Sequence, residues 1–342
     1  MGLRAAPAAV YPPSSLHAKG EKIKGITLVA PPEPFAENPI PAIADVGAGW
    51  IAVIPYAYTR PGQPRVQLPS SHVSWWGERK EGVQKTVRLA HAAGLRVMLK
   101  PQVYVPGSWT GALDFERSDD WQRWEADYAQ YILSFARLAA DEHISLLCIG
   151  TELGRAVAKR PAFFRVLIGQ VRAIYPGKLT YSANWDEWDR VPFWSDLDYV
   201  GISAYFPLLP DATPTEEALR IAWGPIVNRL NEYHKNINKP ILFTEYGYLS
   251  VDGSGWRNWE LEPTITGRPI NEAAQAHCLS ALLATWLPQD AWAGGFLWKW
   301  FPNMRGHEGY PERDYTPQGK QGEAVLRRWY RSQAPRPVDL PR

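Results

Sequence analysis

Glu152 and Glu245 each lie near the end of an apolar run, Ile144–Leu153 and Pro240–Tyr248, where a carboxylate is expensive to bury unless it is paired or has chemistry to do. Taken singly, either is explained by an ion pair with a lysine at another strand end, Lys100 or Lys299. Taken together they suit a different task. Two carboxylates facing one another across a cleft are what glycoside hydrolysis uses, one protonated as the general acid on the leaving oxygen and the other as the nucleophile at the anomeric carbon. Composition points the same way, because 17 of the 342 residues are Trp and the flat C–H faces of sugar rings dock on aromatic planes. Trp75, Trp76, Trp109, Trp185, Trp188, Trp256, Trp259, Trp298 and Trp300 fall in long loops or at strand ends and read as sugar platforms. Trp50, Trp121, Trp124, Trp223, Trp286, Trp292 and Trp329 read as packing residues.

Other chemistries lack their residues. The seven His show no HxH or HExxH spacing, so no metal is called for. No G-x-S-x-G turn and no Gly-rich phosphate cradle occur, and no cofactor is expected. Cys148 and Cys278 stand in apolar stretches outside any CxxC pair and read as buried thiols. With 37 Lys+Arg against 35 Asp+Glu, no field points at nucleic acid or an anionic membrane. No stretch approaches the roughly 20 apolar residues of a membrane span, and Met1–Gly20 holds no unbroken apolar segment of the kind a secretory leader carries. The expected partner is an oligo- or polysaccharide.

The elements that must position the glutamates follow from periodicity. Eight apolar or β-branched runs, residues 23–30, 50–58, 95–105, 144–153, 178–185, 197–207, 240–248 and 293–302, alternate with amphipathic segments at 82–93, 119–141, 162–175, 215–236 and 272–287 and an exposed last one near 319–331. That alternation predicts a parallel sheet. With eight strands, and no Gly-rich turn after the first, it predicts an α/β fold of the (β/α)₈ TIM-barrel type rather than an open doubly wound sheet. One barrel domain is expected over 21–333, between an N-terminal tail at 1–20 and a C-terminal tail at 334–342. The connections after strands are long and aromatic, those before them short. Long loops therefore gather at the C-terminal face, where barrel enzymes keep their active sites, and strands four and seven set Glu152 and Glu245 across the mouth from one another.

The strand ends also resemble a known family. Ile149-Gly150-Thr151-Glu152-Leu153, the run Leu179–Trp185, Asp198-Tyr199-Val200-Gly201-Ile202-Ser203-Ala204-Tyr205-Phe206-Pro207-Leu208 and Leu242-Phe243-Thr244-Glu245-Tyr246-Gly247-Tyr248, with Lys100-Pro101 and Trp298-Lys299-Trp300, are similar to glycoside hydrolase family 113, whose members are (β/α)₈ β-mannanases and β-mannosidases. The resemblance runs from about Lys24 to Trp300. It implies a retaining double displacement on β-linked mannan or manno-oligosaccharide, with Glu152 as acid/base, Glu245 as nucleophile and Tyr205 donating to the nucleophile. Lys100, Trp109, Asn184 and Trp298 would line the subsite of the reacting sugar, and Trp300 is expected to contact the substrate as a sugar platform. Thr151 stands where the wider clan commonly has Asn, which moves the reading of the sugar 2-hydroxyl to Asn184. The competing readings are a carbohydrate-binding barrel without turnover, a transglycosylase, and a β-glycosidase for another sugar.

Overall fold

The computed structural model describes residues 21–71, 74–303 and 310–332. The tails expected at 1–20 and 334–342, and two of the histidines considered above, His72 and His307, lie outside the described residues. Eight strands, β1 (Ile23–Leu28), β2 (Trp50–Val53), β4 (Arg96–Leu99), β6 (Leu146–Thr151), β7 (Lys178–Asn184), β8 (Val200–Ser203), β9 (Ile241–Tyr246) and β10 (Trp292–Trp300), close a parallel barrel in that order. Around it run α1 (Ile40–Asp45), α2 (Lys80–Ala92), α3 (Ser118–Asp141), α4 (Gly154–Lys159), α5 (Pro161–Arg172), α6 (Glu216–Ile237), α7 (Asn258–Leu261), α8 (Glu272–Trp286) and α9 (Gln321–Arg331). The short helices α1, α4 and α7 escape periodicity, since too few turns are present to show a stripe.

Two of the expected strands are each broken in the middle. The run at 50–58 splits at Ile54-Pro55 into β2 and β3 (Tyr56–Tyr58), and the run at 95–105 splits at Lys100-Pro101 into β4 and β5 (Gln102–Tyr104). Proline offers no N–H to a ladder, so the chain leaves the barrel there, and β3 and β5 pair with each other as a separate parallel ribbon. The break leaves Lys100 at the barrel rim, its own N–H still donated to Val53 O at 2.8 Å.

The core has two compartments. Inside the barrel lie Ile23, Trp50, Met98, Leu146, Cys148, Leu242 and Phe296. Gly25 makes room for Phe296, whose ring a Cβ would meet at 2.3 Å. Between barrel and helices the aromatic residues do most of the filling. On α3, Trp121, Trp124, Tyr128, Tyr131 and Phe135 recur at alternating steps of three and four and are all buried, which is the stripe of a helix laid on a sheet. Helix α9, expected to be exposed, is instead clasped to the barrel. Leu326 and Tyr330 are buried, the Tyr330 phenol donates to Gly25 O at 2.8 Å and meets the Tyr246 phenol at 2.5 Å, and Lys24 Nζ caps the helix end on Tyr330 O and Ser332 O.

A buried carboxyl sits where the chain enters α2. Glu78 is 4% exposed; its Oε2 accepts the Trp75 N–H at 3.0 Å, and the Tyr58 phenol lies 3.4 Å away. Burial pushes this carboxyl up to about 7, against the two donors. A folded-state value above the ordinary 4.5 means that the folded chain holds the proton more tightly. The stabilisation is therefore complete below about pH 4.5 and is lost as the pH rises toward 7. Glu78→Gln, which keeps an acceptor for Trp75 and removes the charge, should raise Tm by a few degrees near pH 8 and change it little near pH 4. Thermal unfolding followed by circular dichroism at the two pH values checks this, and an equal effect at both would contradict it.

Candidate active site

The two glutamates reach the barrel mouth by different local devices. On β9, Phe243 faces the helices, against Trp223, Trp286 and Trp292, and strict alternation would send Glu245 the same way. Between Ile202↔Phe243 and Ser203↔Glu245 the register with β8 slips by one residue. A bulge of this kind re-aims a side chain, and Glu245 turns into the mouth. Thr244, the extra residue, keeps its hydroxyl 2.6 Å from Ser182 Oγ, which lies 3.0 Å from Ser203 Oγ. Three hydroxyls thus pave the floor beneath the carboxylate.

Glu152 follows the last residue of β6 and has a left-handed backbone, φ 52°. For a residue with a Cβ this costs on the order of 1–3 kcal/mol and persists only when the surroundings over-determine it. They do so here, because the Glu152 N–H is held by Ser182 O at 2.7 Å and the next N–H, of Leu153, by the Tyr181 phenol oxygen at 2.7 Å. The turn lifts the carboxyl out of the strand into the cavity.

The two carboxyls are differently furnished. Lys100 Nζ, fully buried, contacts Glu245 Oε1 in an ion pair and lies 5.4 Å from the centre of the Trp298 ring. The Tyr205 phenol donates to Glu245 Oε2 at 2.9 Å. Both oxygens of Glu245 are therefore held by donors, one of them cationic, which balances a negative charge at this point. Among the described residues, no cation contacts Glu152 as Lys100 contacts Glu245. Its Oε2 accepts from Trp109 Nε1 at 2.9 Å, and the Ser203 hydroxyl reaches it from the floor. Trp109 gets there by lying flat over Gly111, where a Cβ would stand 2.3 Å from the indole. Burial first, and the negative charge of Glu245 second, push Glu152 up to about 7, against the opposing influence of Trp109, Ser203 and Lys100. Two carboxyls at one mouth with such divergent surroundings are the signature of an acid and a nucleophile sharing a site.

A cavity of about 860 Å³ opens over them. Trp109, Asn184, Tyr205 and Trp298 line it with the glutamates, and Lys100 lies beneath; the Asn184 amide donates to Asp186 Oδ1 at 2.9 Å. Trp185 and Trp259 stack with ring centres 5.7 Å apart at 21° and form one wall. The long loops after β9 and β10 supply Glu262, Ile265, Tyr310, Asp314 and Tyr315. Gln275 of α8 ties these loops together, donating Nε2 to Tyr248 O at 2.9 Å and Tyr315 O at 3.1 Å. A smaller pocket of about 120 Å³ adjoins the glutamates, lined by Gln102, Thr110 and Thr151.

Trp300 does not join them. The pairing of β1 with β10 continues through Leu28↔Trp300, and Val29 N–H donates to Trp300 O at 2.9 Å, so Trp300 stays in the barrel wall with its side chain in the helix-side core. Trp188 is also a packing residue, edge-on to Tyr233 at 4.8 Å and beneath the Arg229 guanidinium. Trp75, Trp76 and Trp256 lie outside the cavity lining. Sequence reasoning overlooked Tyr104, Asp186, Glu262, Asp314 and Tyr315, although each lies in or beside one of the long aromatic segments after a strand, which was the signal available.

Comparison with known proteins gives a consistent picture. The model of Glycoside Hydrolase Family 113 matches residues 33–320. A β-mannanase of that family from Alicyclobacillus acidocaldarius, solved in complex with ManMIm, superposes with a TM-score of 0.78 at 26% identity, covering 90% of this chain and 97% of that one. A GH113 β-1,4-mannanase superposes at 0.77 with 24% identity over 92% of this chain and 100% of the other. A family 5 mannosidase from Rhizomucor miehei shares the fold at 0.65 and 12% identity, covering 92% and 94%. A search of curated protein sequences finds no match.

Because the Trp109 indole holds Glu152 down, Trp109→Phe should move the Glu152 carboxyl above 7, and carbon-detected titration of labelled glutamate should read the upward shift directly. A downward shift would mean that the indole acts on Glu152 chiefly by excluding water.

Proposed function

From the premise that this chain belongs to glycoside hydrolase family 113 and is a glycosidase, we propose that it hydrolyses β-1,4-linked mannan or manno-oligosaccharides with retention of anomeric configuration. Glu152 serves as acid/base and Glu245 as nucleophile. The observation that carries this reading is the unequal furnishing of the two carboxyls: a lysine and a phenol on Glu245, burial and an indole on Glu152. The β-mannanases similar to this chain support the choice of sugar.

The chemistry follows from those contacts. Glu152, with its carboxyl at about 7, carries a proton through much of the neutral range. Indole N–H is a donor only, so no carboxyl proton can sit between Oε2 and Trp109. As Glu245 attacks the anomeric carbon, Glu152 gives that proton to the leaving oxygen. The glycosyl ester then removes the negative charge of Glu245. That charge was one of the influences holding Glu152 up, so the Glu152 carboxyl falls and becomes the base that takes a proton from the incoming water. Release of the sugar restores the charge and resets the acid. Tyr205 and Lys100 keep the Glu245 oxygens oriented, and Trp109, Trp298 and Asn184 surround the reacting ring.

Four measurements test this. Product analysis on manno-, cello- and gluco-oligosaccharides should show cleavage of the manno series, with proton NMR giving the β-anomer first; an α-anomer as first product would overturn retention. Glu245→Ala should lower kcat on an aryl β-mannoside by at least about 10³-fold, with oligosaccharide binding by calorimetry kept. The alkaline limb of kcat/KM should fall near pH 7, where Glu152 loses its proton. In Glu245→Gln, the Glu152 carboxyl should titrate below that value, since a raising charge is gone.

A further inference from the structure

We propose that Tyr181, which lies outside the cavity and can touch no substrate, is the positioning residue that holds Glu152 in its left-handed turn and so keeps the acid aimed at the leaving oxygen. This rests on the assignment of Glu152 as acid/base. Tyr181 stands on the outer face of β7, between Leu179 and Ala183 of the helix-side core, while its neighbour Ser182 joins the hydroxyl layer of the barrel and the Thr180 hydroxyl bonds Tyr199 O. Its ring is 1% exposed and packs edge-on to Phe164 and Phe193. The phenol oxygen reaches across to β6 and accepts the Leu153 N–H at 2.7 Å.

That contact fixes the peptide immediately after the strained residue. On the other side, Glu152 N–H is bonded to Ser182 O, so residues 181 and 182 of one strand hold the peptide N–H on each side of Glu152. Release of one side lets φ relax, because the backbone has a lower-energy region available as soon as the constraint is gone. The carboxyl then swings away from its place under Trp109. Tyr128 makes an informative contrast. It is also a buried phenol, it also bonds to β6, donating to Ile149 O at 2.7 Å, but it holds the strand three residues before Glu152 rather than the turn itself. Among the described residues, the charged groups facing Glu152 are Glu245 and Lys100, and Tyr205 lies within its field; Tyr128 and Glu187 face Tyr181. None of these changes in a Tyr181→Phe variant.

The test compares aryl β-mannosides whose leaving groups need an acid to different degrees. In Tyr181→Phe, kcat/KM should fall about 10- to 10²-fold for an unsubstituted phenyl mannoside and less than about 3-fold for a dinitrophenyl one, which departs without protonation; with the dinitrophenyl substrate kcat and KM should fall together, because base catalysis of the second step also weakens. The alkaline limb should move to lower pH as Glu152 gains water. Tyr128→Phe, which loses a comparable buried hydrogen bond, should lower Tm without this leaving-group dependence. Equal losses on both substrates in Tyr181→Phe, or the same dependence in Tyr128→Phe, would overturn the inference. Glu152→Ala separates the two levels of the proposal: if it lacks the leaving-group dependence, the acid/base assignment itself fails, whereas if it shows the dependence and Tyr181→Phe does not, only the role of Tyr181 fails. Should Tyr181→Phe fold poorly, hydrogen exchange at the Leu153 amide of the unaltered protein remains decisive. Protection like that of the barrel strands supports the clamp, and exchange at the rate of an open loop refutes it.

Discussion

Two carboxyls set into one poorly solvated mouth repel each other, and both cannot be charged cheaply. Around Glu152 and Glu245 that conflict is resolved by asymmetry. One side of the mouth supplies a lysine and a phenol, the other an indole and a hydroxyl, and Glu152 is pushed toward its protonated form. Most of the local structure serves this division. The proline break after β4 leaves Lys100 at the rim instead of inside a continuous strand, the bulge on β9 turns Glu245 inward, and the left-handed turn after β6 lifts Glu152. Each is a departure from regular geometry, and such departures gather where a fold is asked to do chemistry.

Regularity was what the sequence displayed most clearly. Eight β-branched runs and the aromatic stripe on α3 announce a barrel, because both periods repeat often enough to stand out. Glu152 and Glu245 were legible for the opposite reason: a charge at the end of an apolar run is conspicuous. Less legible was anything depending on which way one residue points. Trp298 and Trp300 are two apart in the same run, yet the first faces the cavity and the second the wall. Period two treats them alike. The bulge on β9 carries no mark in the sequence, since Thr244 is an ordinary strand residue.

The tryptophan excess divides along the same line. Trp109, Trp185, Trp259 and Trp298 face the cavity, while Trp124, Trp188, Trp194, Trp223, Trp286 and Trp292 are fully enclosed. The enclosed group fills the gap between barrel and helices with rigid, bulky rings, and Phe243, two residues before Glu245 on β9, lies among three of them. The same residue type therefore supplies the walls where sugar would rest and the backing that keeps the β9 end from shifting.

The seam of the barrel has a further consequence, for the order in which the chain is made. β1 pairs with β10, and the backbone carbonyl of Gly25 receives its bond from the Tyr330 phenol, separated by 305 positions. During synthesis the first strand therefore leaves the ribosome with one edge unpaired and waits until nearly every other element has emerged. A nascent chain in that state exposes an open strand edge, and that edge is covered only when β10 pairs with it.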